Sequence, residues 1–475
     1  MRYETVIGME VHVELHTASK MFCPCPADHY GIAANDHICP VCTAQPGALP
    51  VINGRAVELT VMTGIALHCQ VRANSVFARK NYVYPDLPKG YQVSQYERPL
   101  CADGWVEIAG DGGAPKRIGI VRVHLEEDTG KLVHQADCSL VDYNRAGVPL
   151  MEIVTDASIR SAGQAYAYVQ KVRQLVRYLG ASTGDMEKGA LRCEANISVR
   201  PEGDSAFGTK VEVKNLNSFR SVRSAIAYEV GRQVETLQAG GSLRQVTMGW
   251  DETAGATFEQ RSKEYADDYR YFPEPDLLDV DLTDAWIEGV RAHLPELPDA
   301  KAARFAGLGL GPADAALLAD DRAMADWFEA VVAAGADAKA AANWVTGEVF
   351  RRLKEGAGDI DAVKVRPAEL AALIRLIADG TVSHSAAKEV FAVMWERGGA
   401  PAQIVEAQGL RQISDTGELE SQVDAVIAAQ AEAAEKVRAG DDRPIQFLMG
   451  QVMRATKGKA NPQRVQQLLR ERLRR

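Results

Sequence analysis

Strict alternation governs the first patterned stretch of the chain, Ile7-Gly8-Met9-Glu10-Val11-His12-Val13-Glu14-Leu15. A strand sends every second side chain to the same face, at steps of about 7 Å. Val11, Val13 and Leu15 therefore share one side, and Glu10, His12 and Glu14 share the other. The apolar side reads as core. Three later segments repeat the arrangement. In residues 121–128, Val121, Val123 and Leu125 oppose Arg122, His124, Glu126 and Asp128. In residues 191–200, Leu191, Cys193, Ala195, Ile197 and Val199 oppose Arg192, Glu194, Asn196, Ser198 and Arg200. In residues 210–214, Val211 and Val213 oppose Lys210, Glu212 and Lys214. One such strand is what any antiparallel sheet with a solvated face shows. Four of them, with carboxylates, imidazoles and cations interspersed, predict a sheet whose polar face is a binding surface of the Mg²⁺–phosphate kind.

Residues 1 to about 291 read as strand-rich, with turn clusters such as Gly110-Asp111-Gly112-Gly113 between alternating runs. One helix is expected from 162 to about 179, capped by Ser161 and closed by Gly180. A second is expected from 221 to about 237, ending at Gly240-Gly241. From about Leu294 the texture changes: alanine and leucine dominate, apolar spacing becomes three and four, and Pro295 and Pro298 mark the boundary. The expected fold class is α+β, with a largely antiparallel sheet domain at 1–291, an all-α helical domain at 292–410 and a small all-α tail at 411–475. At 475 residues the chain is long enough for each part to bury a core.

The net charge of −10 argues against a protein that coats nucleic acid indiscriminately, but its distribution is uneven. Residues 441–475 hold nine Lys or Arg against three Asp or Glu, so the tail is about +6 and the remainder about −16. A basic terminal module on an acidic body points to a localised polyanion contact. The absence of a long apolar run or a leader pattern, with eight unevenly spaced cysteines, suits a reducing cytoplasm. Cys23, Cys25, Cys39 and Cys42 form a C-x-C…C-x-x-C pair on proline-shaped turns, the ligand type and spacing of a closed structural zinc site. His29 or His37 can replace a sulfur in such a set, and buried free thiols are the alternative. The loop from Phe77 to Gln92 offers Arg79, Lys80 and Lys89 to anions and several tyrosines for stacking.

Several motifs are excluded. No G-x-x-x-x-G-K-[ST] occurs, so a nucleotide here is not held by a Walker-type loop. Gly180-Ala181-Ser182-Thr183-Gly184 spells G-x-S-x-G but follows a helix, whereas a nucleophile elbow follows a strand. The glycine-rich stretch 307–312 reads as a connector. There is no serine–lysine–serine amidase pattern, so this chain is not expected to hydrolyse amides itself.

Residues 8–15, 79–92, 124–131, 139–150, 210–218, 267–276 and 450–462 together resemble the B subunit of the bacterial and organellar aspartyl/glutamyl-tRNA amidotransferases, over essentially the whole chain. The resemblance implies a cradle-shaped N-terminal domain, a helical domain and a small tail. It implies ATP-dependent phosphorylation of the side-chain carboxylate of Glu-tRNA(Gln) or Asp-tRNA(Asn), then amidation by ammonia. A separate A subunit, a glutaminase, would supply the ammonia, and a small C subunit would complete a heterotrimer.

In phosphoryl transfer to a carboxylate both reactants are anionic, so metal and cations must screen them while they are held in line. Glu10 and His12, with Glu126 or Glu127, Glu194 and Glu212, are the expected catalytic and Mg²⁺-binding groups. His12 is alternatively a contact for the aminoacyl end or a ligand of a transition metal. Lys214, Lys80 and Arg79 are expected to neutralise phosphates, with Lys89 nearby, and Asn215 and Asn217 to orient oxygens. In the tail, Arg454, Lys457, Lys459 and Arg464 are expected to meet folded tRNA through phosphate and shape. The chain departs from the family pattern at Lys188, where glutamate or glycine is usual, and at Glu194, where aspartate is usual; Glu194 keeps the carboxylate on a longer stem. A non-catalytic tRNA-binding scaffold with a structural metal site is the main rival, and a free-standing carboxylate–amine ligase for a small acid a more distant one.

Overall fold

Along the chain, β1 (Tyr3–Glu14) is followed by α1 (Gly54–Ala66), β2 (Gln70–Val71), β3 (Asn74–Ser75), β4 (Ala78–Asn81), β5 (Tyr91–Ser94), β6 (Cys101–Ala109) and β7 (Pro115–Glu127). Then come β8 (Lys131–His134), β9 (Ser139–Asp142), β10 (Pro149–Thr155), α2 (Ala162–Tyr178), β11 (Leu191–Pro201), β12 (Val211–Leu216) and α3 (Phe219–Gln238). The series closes with β13 (Val246–Asp251), β14 (Ala256–Ser262), β15 (Phe272–Pro273), β16 (Val280–Asp281) and α4 (Asp284–Ala292). This is a computed structural model that describes residues 2–262, 269–356, 358–412, 416–456 and 459–474. The chain divides into two compact units, Met1–Leu297 and Pro298–Arg475.

β1 keeps its alternation, burying Ile7, Met9, Val11 and Val13 completely and turning Glu10 and His12 the other way. It lies at the centre of a nine-stranded sheet in the order β14-β13-β12-β11-β1-β10-β7-β6-β2. The pairing is antiparallel except between β12 and β13. A parallel pair needs a crossover, and α3 supplies it. α2 performs the same service between β10 and β11, the two strands that flank β1. Both crossovers begin on a serine cap: Ser161 accepts from the Gln164 N–H and Ser218 from the Ser221 N–H. The apolar face of the sheet forms one core with Leu59 and Val61 of α1, Tyr168 and Val172 of α2, and Val222 and Ile226 of α3. Its other face stays polar.

Besides α4, which lies where the sequence was read as strand-rich, two features depart from the sequence reading. α1 was not expected, because nine of its thirteen residues are buried and no polar stripe marks a helical period. Its start signal is Asn53, which accepts from the N–H groups of Arg55 and Ala56 and donates to the carbonyls of Ser19 and Lys20, tying the helix to the loop after β1. The other departure is Val121, which is 45% exposed and not part of the core. Register shifts there: Val154 faces Arg122 while Thr155 faces Ile120, leaving Val121 as the extra residue of a β-bulge. Ile118 and Ile120 fill the core face before the bulge, Val123 and Leu125 after it.

Among the described residues, the second unit is built of helices, from Pro298–Gly307 onward. Residues 308–311 connect that helix to Pro312–Leu318, as expected of the glycine-rich stretch. One core gathers Phe305, Phe328, Leu370 and Phe391. A separate core holds Leu419, Val423, Leu448, Val452 and Leu468 from the helices Thr416–Ala429, Pro444–Ala455 and Pro462–Leu473.

α1 can lie this close to β6 only because of Gly64: a Cβ there would stand 2.4 Å from Cys101 Sγ and 2.8 Å from its Cβ. Gly64→Ala is therefore expected to destabilise the sheet unit by about 1–3 kcal/mol. An unchanged denaturation midpoint for the full chain would show that α1 shifts freely.

Candidate active site

Cross-strand register lays out the polar face in rows. Arg192, His12, Glu152 and His124 stand in line across β11, β1, β10 and β7. The next row holds Glu194, Glu10, Val154 and Arg122. Glu212 follows one step away on β12, opposite Asn196. A small three-stranded sheet, β15-β4-β5, supplies Lys80, Gln92 and Ser94 to the same space. Together they line a cavity of about 550 Å³. Of the residues singled out by the sequence, Glu10, His12, Lys80, Glu126, Glu194, Glu212 and Lys214 line it.

The acids fall into two clusters, each with ligand atoms within 4.8 Å of one another. The first joins His12, Glu126 and Glu152. Glu152 lies 3.5 Å from His12 Nε2 and 3.3 Å from His124 Nε2. Glu126 lies 3.4 Å from His124 Nε2 and accepts from Gln92 Nε2 (3.0 Å) and Ser94 Oγ (2.7 Å). Burial alone would depress the His12 imidazole, but Glu152, with Glu194 and Glu126 behind it, lifts its pKa to about 9. His124 is raised in the same way against its burial. In return, and against burial, the two imidazoles hold Glu152 well below the usual carboxylate range. Lys80, backed by His124, overcomes burial to keep Glu126 low as well.

The second cluster is Glu10, Glu194 and Glu212. Burial and the repulsion of Glu152 and Glu194 push Glu10 up. Neighbouring side chains fix the acids: Asn196 Nδ2 donates to Glu10 (2.8 Å), Lys214 pairs with Glu194 (2.7 Å) and Thr247 Oγ1 donates to Glu212 (2.8 Å). An all-carboxylate set suits a hard divalent cation; the set containing His12 suits a divalent cation that tolerates one imidazole. Glu152 was missed by sequence reasoning. Its signal was a lone charge inside the otherwise apolar run Pro149–Thr155, since a buried carboxylate requires partners.

Other singled-out residues lie outside the cavity lining. Adjacent strand residues point to opposite faces, so Lys80 enters while Arg79 turns away. Arg79 forks onto Glu274 through two 2.7 Å bonds and lies 4.3 Å over the Tyr91 ring. Likewise Glu126 enters while Glu127 turns away to bind Lys89 Nζ (2.7 Å) and the Val93 N–H (3.0 Å). Lys89 and Glu127 line a second cavity of about 270 Å³ beside Cys23 and Cys42. Asn215, with a left-handed φ of 66°, donates to the Trp250 carbonyl, and Asn217 donates to Asn215. Lys188 is exposed and stands 3.9 Å from Asp185. In the tail, Arg454 is exposed and Lys459 and Arg464 are partly so; Lys457 lies outside the described residues.

The sulfurs of Cys23, Cys25, Cys39 and Cys42 also lie within 4.8 Å of one another, a cluster that can hold a metal. The fully buried Lys20 sits against it, donating to the His37 and Tyr143 carbonyls (2.8 and 3.1 Å) with Cys42 Sγ 3.7 Å away. The Cys23 thiol, the Cys39 N–H and Lys20 outweigh burial and bring the Cys42 thiol down to about 5. Among the described residues no imidazole joins the set: His29 pairs with Glu14 (3.2 Å) and His37 Nδ1 contacts the Asp28 carbonyl.

A catalytic domain is what this sheet and cavity amount to, and the family comparisons agree: the GatB/GatE catalytic domain matches residues 5–288, and the GatB domain matches residues 326–473. The chain is 51% identical to the aspartyl/glutamyl-tRNA(Asn/Gln) amidotransferase B subunit of Roseiflexus sp. (strain RS-1), over 100% of this chain and 99% of that protein. Proteins of the same name from Geobacter sulfurreducens and Chlorobium luteolum are 51% and 49% identical, each over the full length of both chains. The chain belongs to the family of aspartyl/glutamyl-tRNA(Asn/Gln) amidotransferase B subunits, components of a ligase-type amidotransferase.

The Arg79–Glu274 fork gives a direct check on what Arg79 does. Glu274 is only 1% exposed at its side chain, so Arg79→Met strands a buried charge and is expected to cost about 3–5 kcal/mol of stability. Combining it with Glu274→Leu should restore much of that. A stable Arg79→Met protein with weakened nucleotide binding would assign Arg79 to the ligand instead.

Proposed function

We propose that this chain converts Glu-tRNA(Gln), Asp-tRNA(Asn) or both to the cognate amides, using ATP and ammonia. A side-chain carboxylate oxygen of the charged amino acid attacks the γ-phosphorus of ATP and ADP leaves. Ammonia nitrogen then attacks the activated acyl carbon and phosphate leaves. The observation that carries this reading is the meeting, in one cavity, of Glu10, His12, Lys80, Glu126, Glu194, Glu212 and Lys214 from strands spread between residues 10 and 214. A bare scaffold would not need two partly buried acid clusters in the same cavity as Lys80 and Lys214.

Three carboxylates within 4.8 Å repel one another, and Mg²⁺ between Glu10, Glu194 and Glu212 would remove that repulsion. His12, Glu126 and Glu152 would hold a second divalent cation. Such cations supply charge neutralisation for the phosphoryl group. Lys80 and Lys214 add fixed positive charge on the cavity wall, and the residues around them keep the reacting groups in line. The four cysteines would hold zinc as a staple with no part in the chemistry. The partners implied are a glutaminase A subunit and a small C subunit, in a cytoplasmic heterotrimer. The basic tail, with Arg454, Lys457, Lys459 and Arg464, would contact tRNA.

In the assembled complex, Glu10→Gln or Glu212→Gln is expected to lower tRNA-dependent amide formation about a hundredfold or more while tRNA still binds. Near-normal turnover would remove that residue from the mechanism. Deleting 411–475, which carries its own core, should weaken tRNA binding and flatten its salt dependence. Metal analysis of unchelated protein should find roughly one zinc per chain; none would leave the cysteines as free thiols.

A further inference from the structure

We propose that Tyr96, Tyr271 and Arg122 form a nucleobase-and-phosphate subsite in the cavity wall, separate from the acid clusters. The inference rests on reading this cavity as a place where nucleotides react. Tyr96 and Tyr271 stack face to face, ring centroids 4.3 Å apart and planes 9° from parallel. Tyr269 meets Tyr271 edge-on at 6.2 Å and braces the pair from the side. Both stacked rings line the cavity, and Tyr96 is 41% exposed. A preformed two-ring slab with solvent access accepts a third flat ring at little ordering cost, and a nucleobase is such a ring.

Arg122 supplies the second half. Its guanidinium lies 5.8 Å from the Tyr96 ring centre and lines the same cavity. Its Nε is buried and has no hydrogen-bond partner among the described residues. A buried guanidinium N–H without an acceptor is a donor prepared for a ligand, and the planar fork matches phosphate. Arg122 reaches this position because of the bulge at Val121. Before the bulge, even-numbered residues of β7 face the core; after it, odd-numbered ones do, which turns Arg122 onto the polar face.

Adenine with an attached phosphate occurs both in ATP and in the 3′-terminal adenosine of tRNA, so the test has two arms. With the assembled complex, equilibrium binding is measured for ATP against inorganic tripolyphosphate, and for tRNA against tRNA lacking its terminal adenosine. The ratio of the two affinities gives the advantage of the base in the ATP arm and of the whole terminal nucleotide in the tRNA arm. Tyr96→Leu is expected to shrink that ratio at least about fivefold in one arm or both. Tyr96→Phe should preserve it, and the arm affected identifies the source. Arg122→Met should weaken ATP and tripolyphosphate alike; in the tRNA arm, where the phosphate leaves with the adenosine, it should weaken intact tRNA alone, and Arg122→Lys should partly restore binding in either arm. The proposal is overturned if Tyr96→Leu and Tyr271→Leu leave both ratios unchanged, or if Tyr96→Phe is as damaging as Tyr96→Leu. Because binding is read without turnover, these outcomes are independent of whether Glu10→Gln blocks amide formation.

Discussion

Everything in the sheet unit depends on the register of β1 between β10 and β11. A strand whose two faces differ this sharply tolerates no slip, since a one-residue shift would drive Glu10 and His12 into the core and expose Val11 and Val13. Fixed in place, β1 aligns His12 with Arg192 on one side and Glu152 on the other. The apolar half of the alternation drives folding, and the polar half is assembled as a by-product. That is why carboxylates this close together can be held: the cost of crowding them is met by the packing of the opposite face against α1, α2 and α3.

The charge pattern within the cavity follows from this grid. Two imidazoles bracket Glu152, so one end of the site is close to neutral even though its members are buried. The other end, with Glu10, Glu194 and Glu212, has Lys214 paired to Glu194, and Glu10 is pushed toward its neutral form there. The two ends thus differ in their appetite for a cation although they share one surface. The imidazole-bracketed end carries its counter-charges on histidines within the row; the all-acid end meets its cations from the neighbouring strand.

Much of this was legible in the sequence because a period-two pattern names faces directly. Glu10, His12, Glu194, Glu212 and Lys214 could be assigned to one surface from parity alone. Parity also explains what was harder to see. Treating Arg79 with Lys80, or Glu126 with Glu127, as joint candidates overlooks that strand neighbours diverge, and the structure sends Arg79 and Glu127 to private partners. The bulge at Val121 reverses parity inside a single strand, which no local pattern announces. α1 was hidden for the opposite reason: it is buried nearly all round, so its sequence carries no periodic contrast. Glu152 stood alone in an apolar run, and only the pairing of β10 with β1 and β7 shows what it answers to.

The wall that carries Lys80 has a consequence for biosynthesis. β4 is paired with β15, Asn81 donates to the carbonyls of Tyr269 and Arg270, and Arg79 is clasped by Glu274, nearly two hundred residues later in the chain. As the chain leaves the ribosome, β1, β7, β10, β11 and β12 can pair well before this clasp exists. The acid clusters are therefore laid down first, and the side that encloses them is completed only when the last strands of the unit emerge. A nascent chain halted before residue 270 would carry the acids without their enclosure.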